Sequence, residues 1–171
     1  MIEVRAAVPA DAEAMAAVNA AGWREGYRDI VPAHYLERLP VSRWLREMKA
    51  GLREPRGDSF TRIAEINGEF AGYCFVAAPG RQEPLGSPLA ELVALYVDPS
   101  RWGRGAGRAL LDRAIRDTTE LGAYEEIELW TFTDNGRAQR VYRAAGFEAD
   151  GATRTFEPLG IPTLRMRLAL G

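Results

Sequence analysis

The chain has 171 residues, of which 47% are hydrophobic and 27% are charged. These fractions are typical of an ordinary globular protein, and we expect one domain over residues 1–171. The net charge of −2 predicts no general attraction to nucleic acid, and no apolar stretch has membrane-spanning length. The single histidine, His34, and the single cysteine, Cys74, are too few for a His/Cys metal site, and a cytoplasmic protein without a metal is expected.

The N-terminal part of the chain predicts a strand followed by helices. The stretch "IEVRAA" (residues 2–7) alternates apolar and polar residues, as a half-buried strand does. An alanine-rich helix is expected from Asp11 to about Asn19. A second helical region, rich in aromatic residues, follows and is interrupted at Pro32 and Pro40.

The middle of the chain predicts a hairpin and then a central strand. The pair Asn67-Gly68 separates two strand-like runs, and it is favoured in type I′ turns because both central residues need a positive φ. A polar loop is expected from Pro79 to Pro88. The nearly continuous apolar run from Leu89 to Val97 is typical of a strand buried on both faces.

The C-terminal part predicts helices alternating with strands. A helix over residues 108–121 with Gly122 as its stop leads to the strand "EIELWTF". A short helix is expected between Asn135 and Gly146, and two closing strands follow it. The predicted order is β-α-α-β-β-β-α-β-α-β-β. The fold class is therefore α+β, with a mixed sheet flanked by helices.

Three glycines stand between the central strand and the next helix, in the stretch "DPSRWGRGAGRALL". The first turn of a helix has unpaired N–H groups and a partial positive charge, so it attracts anions. Glycines let phosphate oxygens approach these N–H groups closely. The turn is predicted to hold a diphosphate, with added charge from three arginines: Arg101, Arg104 and Arg108.

Other phosphate-binding loops do not fit these residues. No Gly-Lys pair occurs in the chain, so a Walker A loop is excluded. The dinucleotide-binding fingerprint needs a Gly or Ala where Arg108 or Leu110 stands, and it belongs near the start of a parallel sheet. A kinase glycine loop would lead into a strand, whereas here a helix follows. A nucleotide enzyme of these kinds is therefore a distant alternative.

The strand and glycine turn together resemble those of one family, the GNAT acetyl-coenzyme-A-dependent N-acetyltransferases. The family motif is Gln/Arg-x-x-Gly-x-Gly/Ala after a strand that ends in "YVDP", and here Gly105 and Gly107 follow "LYVDP". Trp102 departs from the pattern, since Gln or Arg is commonest at that position. A second family pattern, Asn-x-x-Ala-x-x-x-Tyr-x-x-x-Gly-Phe, is present from Asn135 to Phe147. The resemblance implies a mostly antiparallel GNAT-like sheet and acetyl-coenzyme A as the acetyl donor.

The resemblance also implies roles for particular residues in direct transfer from the thioester to an amine. Tyr142 would protonate the departing thiolate as a general acid, and Glu91 would accept the proton of the amine, unless a water relay does so. Backbone groups of the strand end and Asn135 would hold the pantetheine arm. The residues expected to contact the cofactor are Leu95, Tyr96, Val97, Trp102, Gly103, Arg104, Gly105, Ala106, Gly107, Arg108, Asn135 and Tyr142. The carboxylates Glu125, Glu126 and Glu128 are weaker candidates for the base, because charges on strands usually face solvent.

The acceptor amine is not fixed by the sequence. In the family, acceptor specificity depends on the first two helices, their loop and the last strands. In the first of these regions, Trp23, Tyr27 and His34 are candidate binding residues for a cationic amine. Packing of Trp23 and Tyr27 against the sheet is the competing interpretation. A primary amine of a small molecule is the favoured acceptor, and a protein or peptide amine and a non-catalytic acyl-coenzyme-A-binding module are the alternatives. Homodimerisation is possible, as family members are often dimers.

Overall fold

The computed structural model describes residues 1–79 and 88–171. Within them one sheet has the strand order β1-β2-β3-β4-β5-β7-β6. The strands are β1 (Ile2–Ala6), β2 (Phe60–Ile66), β3 (Glu69–Ala77), β4 (Leu89–Val97), β5 (Glu126–Phe132), β6 (Glu148–Phe156) and β7 (Ile161–Ala169). The helices are α1 (Ala12–Gly26), α2 (Ala33–Leu36), α3 (Val41–Arg53), α4 (Ala106–Leu121) and α5 (Gly136–Ala144). Short 3-10 turns precede α1 and α4, at Pro9–Asp11 and Pro99–Arg101.

The pairing of the strands confirms the predicted fold class. Every neighbouring pair is antiparallel except β4 and β5, which are parallel. The β2–β3 turn has φ of 55° at Asn67 and 80° at Gly68, the positive values that a type I′ turn requires. The mixed, mostly antiparallel sheet flanked by helices is therefore as predicted.

The two faces of the sheet are covered differently. On one face, α4 packs on β2, β3 and β4 through fully buried side chains such as Leu110 and Leu111. On the other face, α1 lies against β3 and β4, and Met15 packs on Ile63 and Tyr73. A third cluster, aromatic in character, joins the end of α1 and α2 to β5 and β6. Among the functional candidates, Tyr142 packs against the α4 cluster, whereas Trp23 and Tyr27 belong to the aromatic cluster.

The first helices differ from the sequence prediction. Helix α1 continues through Trp23 to Gly26 and does not stop near Asn19. The expected second helical region is divided, because Pro32 precedes α2 and Pro40 precedes α3, as the two prolines predicted. Three helices therefore stand between β1 and β2, one more than predicted.

Three further predictions concern a loop, membrane-spanning helices and the cysteine. The polar loop predicted from Pro79 to Pro88 lies mostly in residues 80–87, outside the described ranges. No helix within residues 1–79 and 88–171 is both long and apolar enough to cross a membrane. Cys74 is fully buried, as predicted, and burial raises the pKa of its thiol to about 12. This thiol is therefore protonated at neutral pH.

Candidate active site

Strands β4 and β5 separate after a short paired segment and leave a cleft between them. They pair in parallel only where Leu89, Ala90 and Glu91 lie beside Glu126, Ile127 and Glu128. Beyond this point β4 remains paired with β3 on its other side, as far as the pair Val97–Gly72. The β4 backbone from Leu92 to Val97 thus faces an open edge, which can accept an extended ligand as an added strand.

A cavity occupies this opening and collects residues from five parts of the chain. Its β4 side is formed by residues 92–97 and its β5 side by Leu129, Trp130 and Thr131. Helix α1 contributes its C-terminal end, and α5 contributes its first turns. The other lining residues are Gly22, Gly26, Tyr27, Trp102, Asn135, Arg137, Ala138 and Tyr142. The cavity therefore joins the two sequence motifs, which are distant along the chain.

The glycine turn lies just beyond the β4 end of this cleft. Gly103 and Gly105 have φ of 76° and 92°, a left-handed backbone that non-glycine residues adopt at a cost. The first hydrogen bond at the start of α4 runs from the N–H of Ala109 to the carbonyl of Gly105, at 3.0 Å. The N–H groups of Ala106, Gly107 and Arg108 therefore point out of the helix end without intrahelical partners. This arrangement fits a diphosphate bound by backbone groups.

Gly107 lies in the first turn of α4, and its φ is not positive. A Cβ added there would meet only the Cγ2 atom of Val97, at 3.6 Å. This is an ordinary contact, so the fold itself accepts alanine at this position, as the family motif does.

The three predicted arginines differ in whether their guanidinium groups already bind a carboxylate. Arg101 donates to the carboxylate of Glu69, the first residue of β3, at 2.7 Å. Arg108 donates to Asp112 at 2.7 Å and to the carbonyl of Ala144 at 3.1 Å. Arg104 is exposed, and within the two described ranges no carboxylate lies within ion-pair distance of it. Among the three, Arg104 therefore has the guanidinium most available to an anion.

Tyr142 lies in the wall of the cleft, on the second turn of α5. Helix α5 is positioned by Gln139, whose buried amide donates to the carbonyls of Phe132 and Thr133 at 3.3 and 2.8 Å. Asn135 caps the helix by accepting from the N–H of Ala138 at 3.3 Å. Burial, with a smaller contribution from Tyr96, raises the pKa of Tyr142 well above its usual value. The hydroxyl is therefore protonated at neutral pH and able to donate.

Glu91 is the last residue of β4 that pairs with β5, one residue before the part of the strand that lines the cavity. It is half-buried, and its register neighbour on β5 is Glu128. Burial raises the pKa of Glu91, the charge of Arg154 lowers it, and the charge of Glu128 raises it further, in decreasing order of effect. The net increase makes this carboxylate a stronger base than an exposed one.

The interpretation of Glu128 as solvated surface is wrong. The residue is only 4% exposed, and β5 is an inner strand of the sheet. Its carboxylate lies 3.4 Å from Arg167 and 3.6 Å from Arg165, both on β7. The buried charge is held by these two arginines, which the local sequence around Glu128 does not reveal.

Trp102, the departure from the family motif, links β4 to α5. Its indole N–H donates to the carbonyl of Val97 at 2.8 Å. The guanidinium of Arg137 lies over the indole, 3.5 Å from the ring centroid. Gly26 leaves space beside this stack, since a Cβ there would lie 3.7 Å from Arg137 Nη2 and 3.9 Å from Trp102 Cη2. The Trp102 side chain thus engages the Val97 carbonyl and supports a cation at the cleft.

The residues predicted to bind the acceptor are separated by the structure. Tyr27 lines the cavity, whereas Trp23 lies behind it and donates its indole N–H to the Tyr96 hydroxyl at 3.0 Å. Trp23 also contacts the rings of Tyr27, Tyr35, Trp44, Phe132 and Phe156, so packing accounts for its position. His34 is exposed on α2 and is not part of the cavity wall.

The sequence did not predict a role for three side chains at the cleft, those of Arg137, Trp130 and Tyr96. Arg137 stands inside the second motif, next to Ala138, and its basic character was the available signal. Trp130 lines the cleft although its strand reads as wholly structural. The hydroxyl of Tyr96 becomes significant only through Trp23 and Tyr27, whose hydrogen bonds partly offset the rise in pKa that burial causes.

Comparison with known proteins assigns the family. Residues 22–147 match the model of the Acetyltransferase (GNAT) family, and the chain belongs to this family. It is 36% identical over 102 residues to a mycothiol acetyltransferase of Sanguibacter keddieii, with 59% of this chain and 32% of that protein covered. The chain thus spans about a third of the length of this relative. It is also 28% identical over 174 residues to a Mycobacterium tuberculosis protein named Probable N-acetyltransferase Rv2775, covering 98% of this chain and 93% of the relative.

Solved structures show the same fold. A ribosomal-protein-alanine N-acetyltransferase from Brucella melitensis superposes with a TM-score of 0.77 at 23% identity, covering 98% of this chain and 99% of that one. The PaiA N-acetyltransferase from Thermoplasma acidophilum, solved with coenzyme A, gives a TM-score of 0.73 at 19% identity with the same coverage. The prediction of a GNAT acetyltransferase is confirmed at the level of family and fold.

Proposed function

We propose that this domain transfers the acetyl group of acetyl-coenzyme A to the primary amine of a small molecule. The observation that carries this proposal is the cleft between β4 and β5, which has the glycine turn at one end and Tyr142 in its wall. The unpaired N–H groups at the start of α4 would hold the diphosphate, with Arg104 adding charge. The edge of β4 from Leu95 to Val97 would pair with the amides of the pantetheine arm, with the Val97 carbonyl already accepting from the Trp102 indole.

The side chains then have separate tasks in a direct transfer. The amine nitrogen attacks the thioester carbonyl carbon, and the carbon–sulfur bond breaks as the new amide forms. Glu91 takes the proton that the amine loses, through water where the two are not in contact, and Tyr142 gives its proton to the thiolate. Burial raises the pKa of Tyr142, so its hydroxyl is protonated at neutral pH and can donate to the sulfur as the carbon–sulfur bond breaks.

The cleft also brings the reactants together. Two reactants that are held in one site react as if at very high concentration, so no covalent enzyme intermediate is needed. The buried and protonated thiol of Cys74 is consistent with this route, since it is not available as a nucleophile.

Thiol release from acetyl-coenzyme A tests the proposal directly. The acceptors to be compared are polyamines, amino acids, aminoglycosides and short peptides with free N-termini. We expect release with a small amine and a stoichiometric N-acetylated product by mass spectrometry. Release with peptides alone would indicate that the acceptor is a protein or peptide amine. Coenzyme A binding without any release would support a non-catalytic module.

A further inference from the structure

One face of the sheet carries a set of charged side chains next to the cleft. Residues directly opposite each other on neighbouring strands point to the same face. The register places Glu91 beside Glu128, Trp130 opposite Arg165, and Thr163 opposite Arg154. This face is the one covered by α1 and α2 near Phe132 and Phe156. The charged positions lie on the part of the face that adjoins the cleft through Trp130.

The arginines on this face are not equivalent. Arg165 donates to Asp150 at 2.7 Å, and Arg167 pairs with Glu126 and Glu128 at 3.2 and 3.4 Å. Arg154 instead lies over the ring of Trp130, with its guanidinium carbon 4.1 Å from the centroid. Within residues 1–79 and 88–171, no carboxylate oxygen lies within 4.0 Å of the Arg154 guanidinium. The tryptophan thus orients an exposed fork of N–H donors that no described carboxylate occupies.

The position of Arg154 relative to the candidate base indicates what the fork would bind. Glu91 lies beside Glu128, and Trp130 is two residues further along β5 on the same face. Arg154 stacks on Trp130, so Glu91 and Arg154 are both neighbours of Trp130. Glu91 and Trp130 both border the point where β4 and β5 begin to separate. A ligand whose amine approaches Glu91 therefore has its neighbouring atoms near Trp130 and Arg154. A carboxylate there would receive two parallel hydrogen bonds from the guanidinium.

We propose that the acceptor carries a carboxylate close to its amine, as an amino acid does, and that Arg154 on Trp130 binds that carboxylate. This proposal rests on the proposed acetyl transfer and specifies its substrate class. Arg154 is then a specificity-determining residue, since it would hold the acceptor without taking part in bond making. Trp130 is a positioning residue that acts through Arg154.

A second arginine stacked on a tryptophan provides an internal comparison. Arg137 and Trp102 both line the cavity, whereas in the other stack Trp130 lines it, and the Arg137 stack stands at the end of β4 that leads to the glycine turn. We assign Arg137 to the cofactor side of the cleft and Arg154 to the acceptor side. The two stacks therefore predict different kinetic effects: loss of Arg137 would raise the KM for acetyl-coenzyme A, and loss of Arg154 would raise the KM for the acceptor.

The test compares amino acids with the amines that remain when their carboxylate is removed. Suitable pairs are phenylalanine with phenethylamine, leucine with 3-methylbutylamine, and methionine with 3-(methylthio)propylamine. We expect wild-type kcat/KM to favour the amino acid by about tenfold or more, as a charge-assisted hydrogen bond does. Arg154→Met would abolish this preference by raising the KM of the amino acid alone. Arg154→Lys would retain part of it, because the charge remains without the fork.

Matched variants separate the site from general effects. Arg116→Met removes an exposed arginine from α4, on the opposite face of the sheet, and is expected to change neither the rate nor the preference. Arg137→Met is expected to keep the preference. Equal or better use of the decarboxylated amines by the wild type would overturn the proposal, as would a preference that survives in Arg154→Met or disappears in Arg137→Met.

Calorimetry with the coenzyme-A-loaded protein gives a second readout, independent of turnover. Binding of an amino acid that is lost in Arg154→Met supports the proposal even if no acetylation is seen. Binding of coenzyme A without tighter binding of any amino acid than of its amine overturns the proposal and leaves the proposed cofactor site intact. Failure of coenzyme A itself to bind would contradict the proposed function.

Discussion

The two ends of the β4–β5 cleft are lined by different kinds of chemical group. The end near the glycine turn consists largely of backbone: unpaired N–H groups at the start of α4 and the free edge of β4. The end near Glu91 consists of side chains from four strands, among them Glu128, Trp130 and Arg154. Backbone groups are the same in every sequence, whereas side chains are not. The first end is thus suited to a ligand common to a whole family, and the second to the ligand of one member.

The largest effect is expected at the point where the two ends meet. Tyr142→Phe removes the proton donor for the thiolate and leaves the ring packed against Phe147. We expect kcat to fall by about 10³-fold, within the range that general acids contribute, with little change in the dissociation constant of acetyl-coenzyme A. Tyr124→Phe changes a partly buried tyrosine that packs against the α4 cluster; it is the matched control and is expected to keep full activity. Steady-state kinetics would contradict the assignment if Tyr142→Phe kept wild-type kcat.

A smaller effect is expected at the side-chain end of the cleft. Glu91→Gln removes the base, and we expect kcat to fall by about 10²-fold at alkaline pH. Because the Glu91 pKa is raised, the wild-type carboxylate becomes protonated as the pH falls through that pKa. The ratio of wild-type to variant kcat should therefore shrink toward acid pH.

The control for Glu91 is Glu120→Gln, which changes an exposed carboxylate on α4. It should follow the wild-type pH profile throughout. A constant ratio of wild type to Glu91→Gln at all pH values would show that Glu91 is not the titrating base.

The smallest expected effect is a loss of folding stability, at the contact between α1 and the cleft. A Cβ at Gly22 would lie 2.9 Å from Cδ1 of Tyr96, whose hydroxyl is held by Trp23. Gly22→Ala should destabilise the protein by about 1–3 kcal/mol, lowering Tm by about 2–4 °C per kcal/mol. Gly26→Ala in the same helix meets no such contact and should leave Tm unchanged or higher. Thermal unfolding of both variants decides this, and equal Tm values would contradict the close contact.

The difference between the two ends also explains what the sequence could predict. The bounds of β4 and β5 and the glycine turn were predictable, because apolar runs and glycines act locally. The extension of α1 beyond Asn19 could not be predicted, because Gly22 interrupts the helical pattern. Glycine is needed there since Tyr96, on the distant strand β4, lies close to the helix. The burial of Glu128 was hidden for the same reason, because its arginine partners lie on β7. The acceptor end depends on register between distant strands, which no local pattern contains.

The central claim is that the coenzyme arm lies between β4 and β5, and a variant that fills this cleft tests it most directly. Ala138→Phe places a ring in the cavity wall of α5, whereas Val141→Phe adds the same ring to the exposed side of that helix. Calorimetric titration with coenzyme A should give equal dissociation constants for wild type and Val141→Phe, and no measurable binding for Ala138→Phe with its fold intact. Wild-type affinity in a folded Ala138→Phe protein would contradict the account.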